Sequence, residues 1–370
     1  MEETCEHPAS GAGPARAVPA WARPAFWFFF LLLFLAEGAA RLWGPAMPSC
    51  AEERRNPYRF RGWPEYVEGA RGMIADHRTV VLLTNCQGYG AELPGRMGYP
   101  AALQDALAER KLLGDTNWRV VNWALDGATS IEYTILAAYL ETLRPAAVIV
   151  SLAFADFRAE HFNEGWRYAR SDVSRLATRP PVFRHLPPSF LRRHGKVEDG
   201  LDAWMFDRCA LLRAKEYGWS WLDGHLPGIH YALYAPAINY RPWRIEGELA
   251  WLPEIRPIGV PRDQDLDLLY DERSTAMVDE LAATLAAGNA PVVLAAQPFR
   301  DGHVHAETFA KDLEASAARH GLPFWNLQHA IPREEFLTSN HFDRRGHRRM
   351  AGELAARMES WLSAGDGDGR

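Results

Sequence analysis

The sequence predicts an α/β protein: a parallel sheet flanked by helices, with a long insertion and an N-terminal membrane-spanning helix. Three observations predict this. Short apolar runs of strand length alternate with helical periodicities in two blocks, at about 79–156 and 274–363, and that alternation implies parallel strands joined by helical crossovers. A stretch rich in Trp, Pro and Arg separates the blocks. Near the amino terminus a third segment is apolar over about the length of a bilayer crossing. A chain of 370 residues, 48% of them hydrophobic, can bury a large core. One α/β domain at 77–365 with an insertion at about 158–272 accounts for the order of elements better than two separate domains.

The elements follow in chain order. Residues 1–24 are rich in Pro, Ala and Gly without periodicity, the composition of a disordered tail. From Ala25 to Ala36 the chain is continuously apolar, and Glu37 to Trp43 extends it. Residues 25–43 are therefore expected to span the membrane as a signal anchor, with Trp43 and the arginines beyond it as interfacial anchors. A cleaved signal peptide is the alternative, because the uninterrupted core is only as long as a signal-peptide h-region. Arg16 and Arg23 favour a cytoplasmic amino terminus, whereas Arg41, Arg54 and Arg55 argue the other way. Residues 44–76 read as a polar, arginine-rich linker.

Thr79 to Leu83 is a short apolar run ending at turn residues, the pattern of a buried parallel strand. A helix is expected from Tyr99 to Leu113, with Leu103, Leu107, Leu112 and Leu113 as its stripe. Trp118 to Asn122 is a second strand, Ile131 to Thr142 a helix, and Ala146 to Leu152 a third strand. Within the insertion, helical pieces are expected around Leu201 to Tyr217. The rhythm returns with a helix from Ser274 to Ala287, a strand from Pro291 to Ala296, a helix from Ala306 to His320, and a short strand from Pro323 to Leu327. A last helix, about Arg345 to Ser363, follows a loop carrying His341.

Composition narrows the partners. A net charge of -6 with acids and arginines intermixed leaves no basic block, so no nucleic acid partner is expected. The four cysteines, Cys5, Cys50, Cys86 and Cys209, show no Cys-x-x-Cys and no metal-ligand spacing, and neither a metal nor a cofactor is implied. Cys50 and Cys209 could pair if the domain lies outside the cytoplasm.

In an open parallel sheet the loops after the strand carboxyl ends converge on one crevice. Here those loops carry Thr84 to Gly90, Asp126 to Thr129, and Ala153 to Asp156. A thiol nucleophile requires a base. His341 and His347, in Asn340-His-Phe-Asp-Arg-Arg-Gly-His347, are the candidates, and Cys86 with His341 is the most economical pair.

At this point the chain resembles the SGNH (GDSL-type) hydrolase superfamily. Thr84-Asn85-Cys86 stands where that family has its Gly-Asp-Ser or Gly-Asn-Ser turn. Asp126-Gly127-Ala128-Thr129-Ser130 is similar to the second block, Ala153-Phe154-Ala155-Asp156 to the third, and His341-Phe342-Asp343-Arg344-Arg345-Gly346 to the last. The resemblance covers a little under half the chain and implies an SGNH-hydrolase-like, flavodoxin-like sheet. It implies Cys86 as nucleophile, His341 as base, and the amides of Cys86 and Gly127 as the oxyanion hole. Two departures bear on activity. Ala155 replaces an asparagine whose side chain donates to the oxyanion, and Thr338 stands where an aspartate would orient the imidazole. Asn85, Asp156, Asn340 and Asp343 are the candidate supporting residues.

The function so implied is a membrane-anchored acyl-ester hydrolase or O-acyltransferase using a Cys-His dyad. Its substrate would be an ester or acylated cell-surface carbohydrate. The chain would sit in the inner membrane with its domain on the periplasmic side. The alternative is a catalytically inactive SGNH-like binding module. Bland readings stand beside each assignment. A lone cysteine after an apolar strand is ordinarily a small buried residue, and Gly127 could serve only its turn. Asp156 reads best as a cap for the segment that follows, and His347 as the solvent-facing start of a helix. The insertion tryptophans, Trp204, Trp219, Trp221, Trp243 and Trp251, suit core packing better than sugar stacking.

Overall fold

Thr79–Thr84 forms β1, and every residue in it is buried. A strand covered on both faces must be apolar throughout, which is why Val80 to Leu83 carry no polar alternation. Arg119–Ala124 (β2), Ala147–Leu152 (β3), Val292–Ala296 (β4) and Phe324–Asn326 (β5) complete a sheet with the order β2-β1-β3-β4-β5. All neighbours pair in parallel; Leu82 lies opposite Asn122 on one side and Ile149 on the other. This order is the flavodoxin-like one, so the expected fold class is met. The computed structural model describes residues 24–42, 63–89, 98–125, 127–159, 161–164, 173, 175–178, 180–194, 208–210, 270–300, 304–336 and 340–365. Nearly all of the tail and most of the linker lie outside these residues. So do most of the expected helix at Leu201 to Tyr217, the insertion tryptophans, Cys50, Asp126 and Thr338.

Side chains alternate between the two faces of the sheet. Val81, Leu83, Trp123, Val148, Val150 and Leu294 point to one core, which Trp63–Asp76 (α2), Ser130–Leu140 (α5), Glu272–Ala286 (α6) and Val304–Arg319 (α7) cover. Val80, Leu82, Ile149 and Val293 point to the other, covered by Tyr99–Arg110 (α4) and Arg344–Gly365 (α8). Between β1 and α4 lies a single turn of helix, Cys86–Tyr89 (α3).

Several expectations are corrected. The linker at 44–76 ends in a helix, α2, whose Val67, Ala70 and Met73 are buried in the core; the packed unit therefore begins before residue 77. Gly72 and polar neighbours weaken the helical signal there, and tertiary packing supplies what propensity does not. Helix α4 stops at Arg110, short of Leu113. Lys111 adopts a left-handed conformation (φ 50°) and its amide closes on Ala108, so Leu112 is buried from a tighter turn, where its carbonyl accepts from Trp118 Nε1 at 2.9 Å. Strand β2 starts one residue later than expected, at Arg119, and ends two later, at Ala124, because β1 pairs with it through Thr84. His347 is fully buried and does not face solvent.

Near the amino terminus Pro24–Leu42 (α1) is helical, long and apolar enough to cross a membrane. From Trp27 to Leu35 every side chain is exposed, around the whole circumference, with Trp27 62% and Phe34 76% exposed. At its far end Glu37 accepts from the Ala210 amide at 2.8 Å and the Cys209 thiol at 3.2 Å, and Arg41 donates to the Arg208 carbonyl. Cys209 is a free thiol.

Candidate functional site

In an open α/β sheet the crevice opens where strand order reverses, which here lies between β1 and β3. Cys86 follows β1 and opens α3, and Ala153 to Asp156 follow β3. The turn between them is fixed by side chains. Asn85 Oδ1 accepts from the Gln87 amide at 3.0 Å, and Asn85 Nδ2 donates to both oxygens of Asp156 at 3.1 and 3.0 Å. The Gln87 side chain donates to the Pro298 carbonyl at 2.9 Å, tying α3 to the end of β4. Asn85 and Gln87 are buried, while Cys86 between them is only half-buried. Gly88 is required for close approach: a Cβ there would stand 2.0 Å from Thr84 Cγ2.

Asp156 Oδ2 accepts from the Ala153 amide at 2.9 Å and from Tyr133 Oη at 3.2 Å, in addition to Asn85. Burial pushes its carboxyl up to about 7, opposed by those donors and by Arg158. Instead of capping the segment that follows, as the sequence suggests, the carboxylate reaches back within its own turn, Phe154–Phe157, to the Ala153 amide, and it is also the acceptor that orients the Asn85 turn.

The loop bearing His341 is pinned on both sides. Phe336 and Phe342 form an isolated antiparallel bridge, and the Asp343 amide donates to the Glu335 carbonyl at 2.8 Å. Glu335 in turn accepts both donors of Arg349 on α8, at 2.8 and 2.6 Å. Asp343 caps α8, its Oδ1 accepting from the Arg345 and Gly346 amides; that carboxylate is spent on the helix. Asn340, immediately before the buried His341, reaches across to the first loop, where its Nδ2 donates to Cys86 Sγ at 3.4 Å. The structure thus brings Cys86 and Asn340 into contact, and Asn85 and Asp156 into contact. Gly127 is exposed in the left-handed region (φ 65°) just ahead of α5, a backbone state that favours glycine. Ala155 presents only a methyl group at its position in the third loop.

Sequence reasoning missed the polar layer beneath Cys86. Gln297 Nε2 donates to Thr84 Oγ1 at 2.8 Å and to the Ser151 carbonyl at 2.7 Å, and Thr84 shares a hydrogen bond of 3.1 Å with Tyr99 Oη. Desolvation raises the phenols of Tyr99 and Tyr133 well above their usual range, so both are neutral, and Tyr133 donates to Asp156. The Tyr99 amide donates to His347 Nδ1 at 3.1 Å, which fixes that imidazole as a structural member of the layer. The signal for Gln297 was present: it directly follows β4, where the convergence of strand ends applies. No pattern marked Tyr99.

No protein-family model matches the sequence, and a search of curated proteins returns no match. Among solved structures the chain is similar to LAE5, an alpha/beta hydrolase enzyme from the metagenome of Lake Arreo, Spain, at 13% identity over 76% of this chain and 94% of that one, with a TM-score of 0.40. It is similar to the native aryl esterase of M. smegmatis at 12% identity, 76% and 99% coverage, and a TM-score of 0.37. Est24, a carbohydrate acetylesterase from Sinorhizobium meliloti, gives 10% identity, 77% and 99% coverage, and a TM-score of 0.36.

Proposed function

We propose that this chain is a membrane-anchored acyl-ester hydrolase or O-acyltransferase acting through Cys86 and His341, with an ester or acylated cell-surface carbohydrate as substrate. The observation that carries the reading is the contact between Asn340 and the Cys86 sulfur. It sets the His341 loop against the half-buried thiol at the switch point of the sheet, where such folds bind their ligands. In the proposed reaction His341 takes the Cys86 proton. The thiolate attacks the ester carbonyl, a C–S bond forms, and the carbonyl electron pair moves to oxygen, held by the amides of Cys86 and Gly127. Collapse expels the alkoxide, which takes the proton from His341 and leaves a thioester. Water or a sugar hydroxyl then gives its proton to His341 and its oxygen to the acyl carbon, and the thiolate is regenerated. Asp156 and Asn85 hold the nucleophile turn.

In this reading α1 spans the inner membrane and the α/β domain lies on the periplasmic side. Its exposed apolar circumference supports that placement. Reporter fusions after residue 76 that work only in the cytoplasm would reject it.

The activity is tested with the full chain in detergent, a panel of acetyl and longer acyl esters, and an ester-mimetic covalent probe. Turnover and labelling at Cys86, both abolished by Cys86→Ala, are the expected results. Binding of acylated sugars without turnover in either protein would establish the catalytically inactive binding module instead.

A further inference from the structure

We infer that Asn340 is a catalytic residue whose side-chain amide holds the Cys86 sulfur in its thiolate form. This deepens the proposed function and rests on it. The Nδ2 to Sγ distance is 3.4 Å, a normal separation for an N–H donor on sulfur. The loop delivering the amide is fixed by the Phe336–Phe342 bridge and by Glu335, so the donor is held in place before substrate arrives.

A donor aimed at sulfur favours the charged form, because a hydrogen bond to a thiolate is stronger than one to a thiol. Tyr99 from α4 and Tyr133 from α5 lie within electrostatic range of the sulfur and are neutral. Asp156, in the turn after β3, sits behind Asn85 and opposes a second negative charge when ionised. His341 is the candidate proton acceptor, yet three residues before it the chain has Thr338 where an orienting aspartate would strengthen the imidazolium. Stabilising the thiolate drives the same proton transfer from the opposite partner. Asn340 therefore does from the sulfur side what a carboxylate would do from the histidine side.

The test is Cys86 alkylation by iodoacetamide as a function of pH, followed on the Cys86 peptide by mass spectrometry so that Cys5, Cys50 and Cys209 do not interfere. Full-length protein in detergent is compared with Asn340→Ala and Asn340→Asp. Losing the donor should shift the alkylation midpoint upward by about one pH unit and slow labelling at pH 6 about tenfold. Asn340→Asp places an acceptor there and should shift it further. Because it is nearly isosteric, it keeps the test open if the alanine variant folds poorly. An unchanged midpoint in a folded variant overturns the inference. This readout does not depend on ester turnover: shifted midpoints without turnover would reject the esterase reading and leave Asn340 as the thiolate donor. Normal turnover with unshifted midpoints would reject Asn340 alone.

Discussion

Asp156→Asn tests the most heavily connected group at the site. In the folded protein the carboxyl sits at about 7, against an ordinary 3.8, which corresponds to roughly 4 kcal/mol of coupling between protonation and folding. The sign follows from which state keeps the proton. Below about pH 4 the group is neutral in both states and the coupling is fully present. As the pH climbs towards 7 the unfolded chain releases its proton while the folded chain retains it. Stability is therefore lost across that window, by up to roughly 4 kcal/mol. Asparagine cannot titrate, and it keeps one acceptor oxygen for the Ala153 amide or the Tyr133 hydroxyl that Asp156 serves. Its amide nitrogen, however, faces Asn85 Nδ2, so the variant should be less stable than the parent at low pH and should close the gap as pH rises. Urea unfolding at intervals between pH 4.5 and 7.5 measures this, with unchanged m-values confirming comparable transitions. Parallel stability curves for the two proteins would refute the buried-carboxyl argument and leave Asp156 as an ordinary cap of its own turn.

The remaining predictions concern the frame around Cys86. Gly88→Ala should push α3 off the end of β1, since its Cβ would overlap Thr84 Cγ2; a loss of about 1–3 kcal/mol in stability is expected from such overpacking, with turnover by the remaining folded protein falling as well, and parental turnover in the folded variant would show that the thiol is not displaced. Glu335→Gln should loosen the His341 loop by weakening the pair with Arg349. Its mark would be a lower kcat at nearly unchanged melting temperature, and a variant with parental kcat would show that the loop needs no such pin.

The fold was legible because it depends on periodicity. Runs such as Thr79 to Thr84 and Ala147 to Leu152 are apolar without alternation, and only burial on both faces makes that stable. What failed was local and non-periodic. Among its described side chains the helix at Trp63–Asp76 buries Val67, Ala70 and Met73, a signal that Gly and charged neighbours obscure in the sequence. His347 appeared exposed because arginines flank it in Arg345-Gly-His-Arg-Arg349. Its burial depends on stacking with Tyr99, at 5.9 Å between ring centroids, from an element 248 residues away in the chain. A pairing of that kind is invisible to any window of sequence. The same holds for Asn340 and Cys86, whose contact spans 254 residues.

Under the proposed function, the environment of Cys86 suits a reacting group better than a small core residue. A structural cysteine at a strand end is expected to be enclosed by apolar atoms and inert. Around this one the order is inverted: the polar neighbours Asn85 and Gln87 are buried and hydrogen-bonded, while the thiol between them keeps partial exposure and receives an amide donor. Burying Asn85, Gln87, Gln297, Thr84 and Asp156 beneath a strand end is costly unless each finds partners. An apolar filling would be the cheaper way to close the sheet. That polar layer makes sense if its task is to fix the Asn85-Cys86-Gln87 turn within a few tenths of an ångström, as a nucleophile requires and a packing residue does not.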